Sequence, residues 1–464
     1  MIHAISSTVV PTEIHGGDHH ATLPLFFSEL MMRDLRLPLV VTLAALGVLA
    51  GSAWLAAQDF DRPPIRYSAS TPANAISRLQ ERLDSGQAKL THDSAHGYLL
   101  SVLKALDVDI DSQTLVFSKS SVQARYISQK TPRAIYFSDD VYVGWPQSGN
   151  ALEISAVDPQ LGTVFYTLDQ SPTDNPKFTR QGEACLNCHS AARIGGIPGH
   201  IVRSHIVDEG GHVIPSAGIV DVDYTTPLAK RWGGWYVTGT SGAQAHLGNF
   251  FARGYQVPDP IDNAAGENLT SLEDRFDVKP YLIPTSDIVA LMVMEYQTLA
   301  ENRMTRANFV TRQALDLDQQ FPRQPGQEAG TLLPITLRTI QRAGDELVDA
   351  FLFVGEAKLT APIQGVSGFS ESFVRRGPRD ANGRSLRELD LNQRLFRYPC
   401  SYLIYSDSFN QLPKEVHDYV WQQLADILTA EKTPEKFSHL SADDRQAIVE
   451  ILRDTIADLP KSFQ

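Results

Sequence analysis

Residues 180–190 read RQGEACLNCHS. Two of the chain's three cysteines, Cys185 and Cys188, stand two residues apart, and His189 follows directly. No other feature constrains the fold as much, because any chemistry open to this motif must gather those side chains on one side of one element. Three chemistries compete. A structural zinc site needs two further Cys or His ligands at related spacing. No second cysteine pair exists, although scattered histidines can serve. A thioredoxin-like redox pair opens a helix in a βαβ setting, and here the motif follows a run of strand signals. Covalent haem attachment employs all three residues: each thiol adds to one vinyl group and the histidine ligates the iron.

A second segment sets the compartment. Leu37 to Ala57 is apolar and uncharged, about the ~20 residues a helix needs to cross a bilayer. Arg33 and Arg36 precede it; Asp59 and Asp61 follow. Basic before and acidic after reads as N-terminus inside and body exported. The segment is either an uncleaved anchor or a signal peptide cut near Gly51-Ser52-Ala53 or Ala57. We expect the anchor, with residues 1–36 a cytoplasmic tail or sequence upstream of a start at Met31 or Met32. That tail, which carries His15, His19 and His20, is set aside from the site. The expected location is the inner membrane, with the body in the periplasm, where c-type haem attachment takes place.

Three cysteines in 464 residues allow one intramolecular bridge at most, so packing must hold the fold. A net charge of −13 argues against a broad nucleic-acid surface. After a Pro/Ser linker at 59–74, helices are expected near 75–84 and 94–106. Short β-branched and aromatic runs follow at 114–118, 134–137, 141–145, 151–157 and 163–168, separated by turn residues, which reads as an antiparallel meander. Past the motif, 201–207 and 213–222 form a strand pair about Glu209-Gly210-Gly211. The second half is helical: Ser286 caps a helix from "DIVALMVMEY", 335–357 has apolar residues at helical spacing, and two more helices are expected near 414–430 and 441–457, the last opened by Leu440-Ser441-Ala442-Asp443-Asp444 as an N-cap with acidic first-turn residues. The expected fold is α+β, a meander carrying the motif and then a mainly helical half. The regions are 59–170, a haem-binding 171–260 and 275–464.

Residues 185–189 resemble the haem-binding motif of c-type cytochromes, a likeness that covers five residues plus a short helix before them, "KFTRQGEACLNCH". The resemblance implies haem c bound through Cys185 and Cys188 with His189 on the iron. It does not extend to the small all-helical cytochrome c domain, which supplies a distal Met some tens of residues downstream; here no Met occurs between the motif and Met292. The strand–CxxCH–strand order looks more like periplasmic haem-c sensor domains with a PAS-like sheet. The chain as a whole resembles uncharacterised bacterial proteins containing a cytochrome c domain.

The far side of the iron is the open position. His246 closes a Gly-rich stretch, "RWGGWYVTGTSGAQAH", in which Trp232 and Trp235 suit the wall of a haem pocket, and it is the first candidate for second ligand. His200 is next, then the helical Met292, Met294 and Met304; His92, His96, His205, His212, His417 and His439 complete the set. Arg193 and Arg203 flank the motif and can meet haem propionates. Seven arginines between Arg375 and Arg397 either clamp an anion or pair with the protein's own carboxylates. Cys400, among aromatics, reads as a buried thiol. The expected function is electron transfer with a redox protein or a quinol-chain component, without nucleic acid. The alternatives are a peroxidase-like haem enzyme with an open distal site, a haem sensor, and a zinc-stabilised interaction protein.

Overall fold

Period-two alternation along 133–169 builds an antiparallel sheet whose two faces do different work. The computed structural model describes residues 59–322 and 330–463; within them the side chain of Arg193 is not described. Segments 1–36 and 37–57 lie outside the described residues. Among the described residues, no helix is long and apolar enough to cross a membrane.

Helix α1 (Ala75–Asp84) starts at Asn74, whose side chain accepts from the amides of Ile76 and Ser77. Helix α2 (Leu99–Ala105) begins later than expected. Asp93 caps a turn by accepting from the amides of Ala95 and His96, and Gly97 then takes a left-handed φ of 63°. Strands β1 (Thr114–Val116), β2 (Arg133–Phe137), β3 (Val141–Pro146), β4 (Ala151–Asp158), β5 (Gly162–Asp169) and β6 (Phe178–Gln181) form the expected meander. Strand β9 (Trp235–Tyr236) returns to pair with β1, giving the order β6-β5-β4-β3-β2-β1-β9. On one face Ala134, Tyr136, Val143, Leu152, Ile154, Val164 and Leu168 pack with Ile76, Leu99 and Val102 of α1 and α2. The opposite face carries two cross-strand rows, Ile135–Gly144–Glu153–Thr167 and Phe137–Tyr142–Ser155–Phe165. That face bears the site.

The short helix expected before the motif is a strand in its first part. Phe178–Gln181 adds to the edge of β5, pairing Phe165 with Gln181, because the open edge offers ladder bonds that an isolated helical turn cannot match. Helix α3 (Glu183–His189) starts only after Gly182. Strands β7 (Val202–His205) and β8 (Ile219–Val222) form the second ribbon. They are shorter than expected, because a 3-10 turn at Pro215–Ala217 interrupts the return strand.

The helical half is built around α4 (Ile288–Gln320), against which α5 (Pro334–Phe351) packs. The cap of α4 is Asp287 rather than Ser286: Asp287 accepts from the amides of Val289 and Ala290. Ser286 instead joins strands, donating to the Tyr236 carbonyl at 2.6 Å and accepting from the Leu115 amide at 2.9 Å. Helix α5 stops short of 357, since Phe353 takes a left-handed φ of 56°. Helices α6 (Phe369–Arg375), α7 (Asp407–Asn410), α8 (Lys414–Leu428) and α9 (Ala442–Thr455) complete the half, α9 with a Ser441–Asp444 capping box. Residues Ala57–Gln464 form one compact unit.

Candidate functional site

Helix α3 is two turns long, and Cys185, Cys188 and His189 stand at i, i+3 and i+4 within it. That spacing puts both thiols and the imidazole on one helical face. Leu186, between the two cysteines, is the buried residue of the helix. The Ser190 amide and hydroxyl both donate to the Leu186 carbonyl, closing the helix directly after His189. The β5–β6 pairing delivers α3 over the sheet face described above, and the His189 ring packs 4.8 Å from that of Phe165.

The three motif residues open onto a cavity of about 490 Å³. This lies within the ~300–1,000 Å³ of cofactor sites. The sheet supplies its floor with Ile135, Tyr142, Gly144, Glu153, Ser155 and Phe165; α4 adds Met294 and Thr298; β7 and its neighbours add His200, Val202, Arg203, His205 and Trp235. The walls therefore combine apolar and aromatic side chains with charges at Lys119, Arg133, Glu153 and Arg203.

A backbone carbonyl sets the orientation of His189. Its Nδ1 lies 3.0 Å from the Gly199 carbonyl, and the Gly199 amide donates back to the His189 carbonyl at 2.8 Å. With Nδ1–H donating, Nε2 carries the ring's lone pair. Glycine is required at 199, because a Cβ there would collide with the Asn302 side chain. Asn302 in turn holds the loop from α4, donating to the His200 carbonyl at 2.7 Å and accepting from its amide at 3.1 Å. Burial, with His200 adding to it, holds His189 down to about 4, so the ring is neutral at physiological pH. Burial likewise pushes the Cys185 thiol up to about 11, with Glu153 and Cys188 in the same direction. Burial also raises Glu153, but Arg133 at 2.5 Å and hydrogen bonds from Ser121 and Gln123 outweigh it and hold this carboxylate below its usual range.

Of the residues singled out in sequence, Cys185, Cys188, His189, Trp235, His200, His205, Arg203 and Met294 are brought together here. His200 has both ring nitrogens engaged, Nε2 with Ser155 at 2.8 Å and Nδ1 with Glu301 at 3.1 Å, and is not a free ligand. Trp235 Nε1 donates to the Arg203 carbonyl at 2.8 Å, and Arg203 pairs with Asp221. His246 and Trp232 are not among the lining residues. His246 packs edge-on to Trp232 and accepts from the Gly248 amide at 3.1 Å. Trp232 donates to Glu295, which also holds the buried Arg231 at 2.8 Å. Arg193 stands in a 3-10 turn at Ala192–Ile194. The arginine-rich stretch mostly meets the protein's own carboxylates: Arg384 pairs with Asp380 and Glu450, Arg394 with Asp444, and Arg397 with Glu388. Cys400 is fully buried.

Arg133, Tyr142, Glu153, Ser155 and Phe165 were not singled out in sequence. Their signal was present as polar and aromatic residues at period two on one face of strands whose other face is apolar. Compared with known proteins, the chain matches no family model, no curated protein and no solved structure.

Proposed function

We propose that this chain is an exported c-type cytochrome that binds haem through Cys185 and Cys188, takes His189 as axial ligand and passes electrons. The placement of α3 carries this reading: two thiols and a neutral imidazole with a defined tautomer face one cavity of haem-compatible volume. When bound, haem supplies a one-electron couple at iron. The chain's residues do the rest. Gly199 orients the His189 ring through its carbonyl, as ligating histidines require. Phe165, Tyr142, Ile135, Val202 and Trp235 give the cavity its apolar and aromatic lining. Arg133 and Arg203 are the lining cations suited to propionates. His205 and Met294 also line the cavity and would offer further donor atoms to a bound haem iron.

The competing chemistries fit less well. Reactive redox cysteines have lowered pKa values, whereas burial shifts Cys185 upward. Among the described residues, no group of three or more His, Cys, Asp or Glu is placed to hold a metal ion directly; a haem iron asks the protein for only one or two ligands. We further place the body in the periplasm, held to the inner membrane by residues 37–57, with a redox protein or quinol-chain component as partner.

Haem staining of the purified protein on a denaturing gel tests the cofactor. Wild type should stain and the Cys185→Ala, Cys188→Ala double variant should not; unstained wild type would overturn the proposal. The reduced protein should then give a low-spin spectrum indifferent to CO, as electron transfer requires. A CO-sensitive spectrum would favour the open-site enzyme or sensor.

A further inference from the structure

We propose that Glu301 is a proton-exchange site that couples reduction in the motif cavity to proton uptake from a second cavity behind it. The proposal rests on the haem reading above.

The second cavity has a volume of about 280 Å³ and is lined by Glu301 together with Asp139, Asp140, Arg387, Tyr402 and Asp407. Glu301 projects from α4 and is only 2% exposed. On one side its Oε2 accepts from the Tyr142 hydroxyl at 2.9 Å and lies 3.1 Å from His200 Nδ1. Tyr142 and His200 both line the motif cavity. On the other side its Oε1 lies 3.2 Å from Gln297 Nε2, and Gln297 Oε1 accepts from the Tyr402 hydroxyl at 2.6 Å. One buried carboxyl is thus hydrogen-bonded toward both cavities.

Its charge surroundings favour a group that switches. Burial pushes the carboxyl well above the usual range, with Asp140 and Asp139 of the β2–β3 turn adding to the rise and Tyr142 and Gln297 opposing it. His200, packed from the loop before β7, is held neutral by burial. The Arg387 guanidinium stacks 4.2 Å over the Tyr402 ring and pairs with Asp139, which leaves Asp139 less able to repel an ionised Glu301. Arg78 of α1, Arg376 and Asp407 are the remaining charges around the second cavity.

The step balances simply. One electron enters the motif cavity from a one-electron donor, a redox protein in service or an electrode in the test. Positive charge there falls by one, the neutral acid becomes the favoured form of Glu301, and one proton enters from water in the second cavity. Oxidation returns both. The midpoint potential therefore falls as pH rises, over a window above the ordinary carboxylate range.

Redox titration of the haem-loaded protein from pH 5 to 9 tests this. One proton per electron shifts the potential by up to about 59 mV per tenfold change in proton activity. Wild type should show more than half that slope over part of the range. Glu301→Gln should lose most of it, and the oxidised-minus-reduced infrared spectrum should lose a protonated-carboxyl band. Should that variant not fold, Tyr142→Phe, which removes a hydrogen bond that favours the ionised carboxyl and keeps the acid, should move the sloping range to higher pH; an unmoved range would count against Glu301. A pH-independent wild-type potential, or an equal slope in Glu301→Gln, would overturn the proton path while leaving the haem reading intact. Absence of covalent haem would overturn the functional reading itself.

Discussion

His246 sits at 2% exposure against Trp232, its ring kept as an acceptor for the Gly248 amide. Burial holds it down to about 4, against ~6.5 in the unfolded chain. The fold therefore keeps the ring neutral, and this residue's contribution is fully present above about pH 6.5 and lost as pH falls toward 4. Going from pH 7.5 to 5 should remove ~2 kcal/mol through this one group. His246→Asn retains an acceptor but no titration. In urea unfolding, wild type should lose about that much more stability than the variant across the interval. A difference that does not vary with pH would mean the ring is already charged, or accessible, in the fold.

Elements are joined here by side chains that sequence spacing alone assigns to the wrong neighbour. Asp287 caps α4 and also accepts, through Oδ2, from the amides of Val366 and Ser367. Replacing it with Ala removes a cap worth ~1 kcal/mol and strands buried donors at ~1–3 kcal/mol. Asp287→Ala should therefore cost about 3 kcal/mol and expose the first turn of α4 to amide exchange. Ser286→Ala should cost about 1–2 kcal/mol and leave that turn protected, since its bonds go to β1 and β9. Equal exchange behaviour in the two variants would reassign the cap. Either Ser286 or Asp287 satisfies the helix-start pattern. Only the return of β9 to β1 makes use of the serine elsewhere.

For the whole molecule, α4 is the shared element. Met294 and Thr298 line the motif cavity, Glu301 lines the second, and the same helix buries Ile288, Leu291 and Tyr296 in the core that includes α5 and α8. A fragment spanning 275–464 would expose the sheet-facing side of α4, and we expect it to show no cooperative unfolding. The full body from residue 59 onward should unfold with coincident circular-dichroism and tryptophan-fluorescence transitions. Separate transitions would show two independently stable halves. The core around α4 takes in Phe137, Tyr142 and Trp235 together with residues of α5 and α8.

What the amino-acid sequence determined by itself was local. Short β-branched and aromatic runs between turn residues marked β2 to β5, Ser441 with the acidic Asp443 and Asp444 marked the start of α9, and i, i+3, i+4 spacing put Cys185, Cys188 and His189 on one helical face. These follow from backbone periodicity and from groups a few residues apart. The tertiary structure decided the rest: that β9 joins the sheet beside β1, that Trp235 lines the motif cavity while Trp232 and His246 do not, and that Glu301 lines one cavity and is hydrogen-bonded to residues lining the other. Those outcomes depend on pairings across 50 to 160 residues, where neither spacing nor propensity says which partner wins. Burial and satisfied hydrogen bonds choose among them, and these are properties of the packed chain.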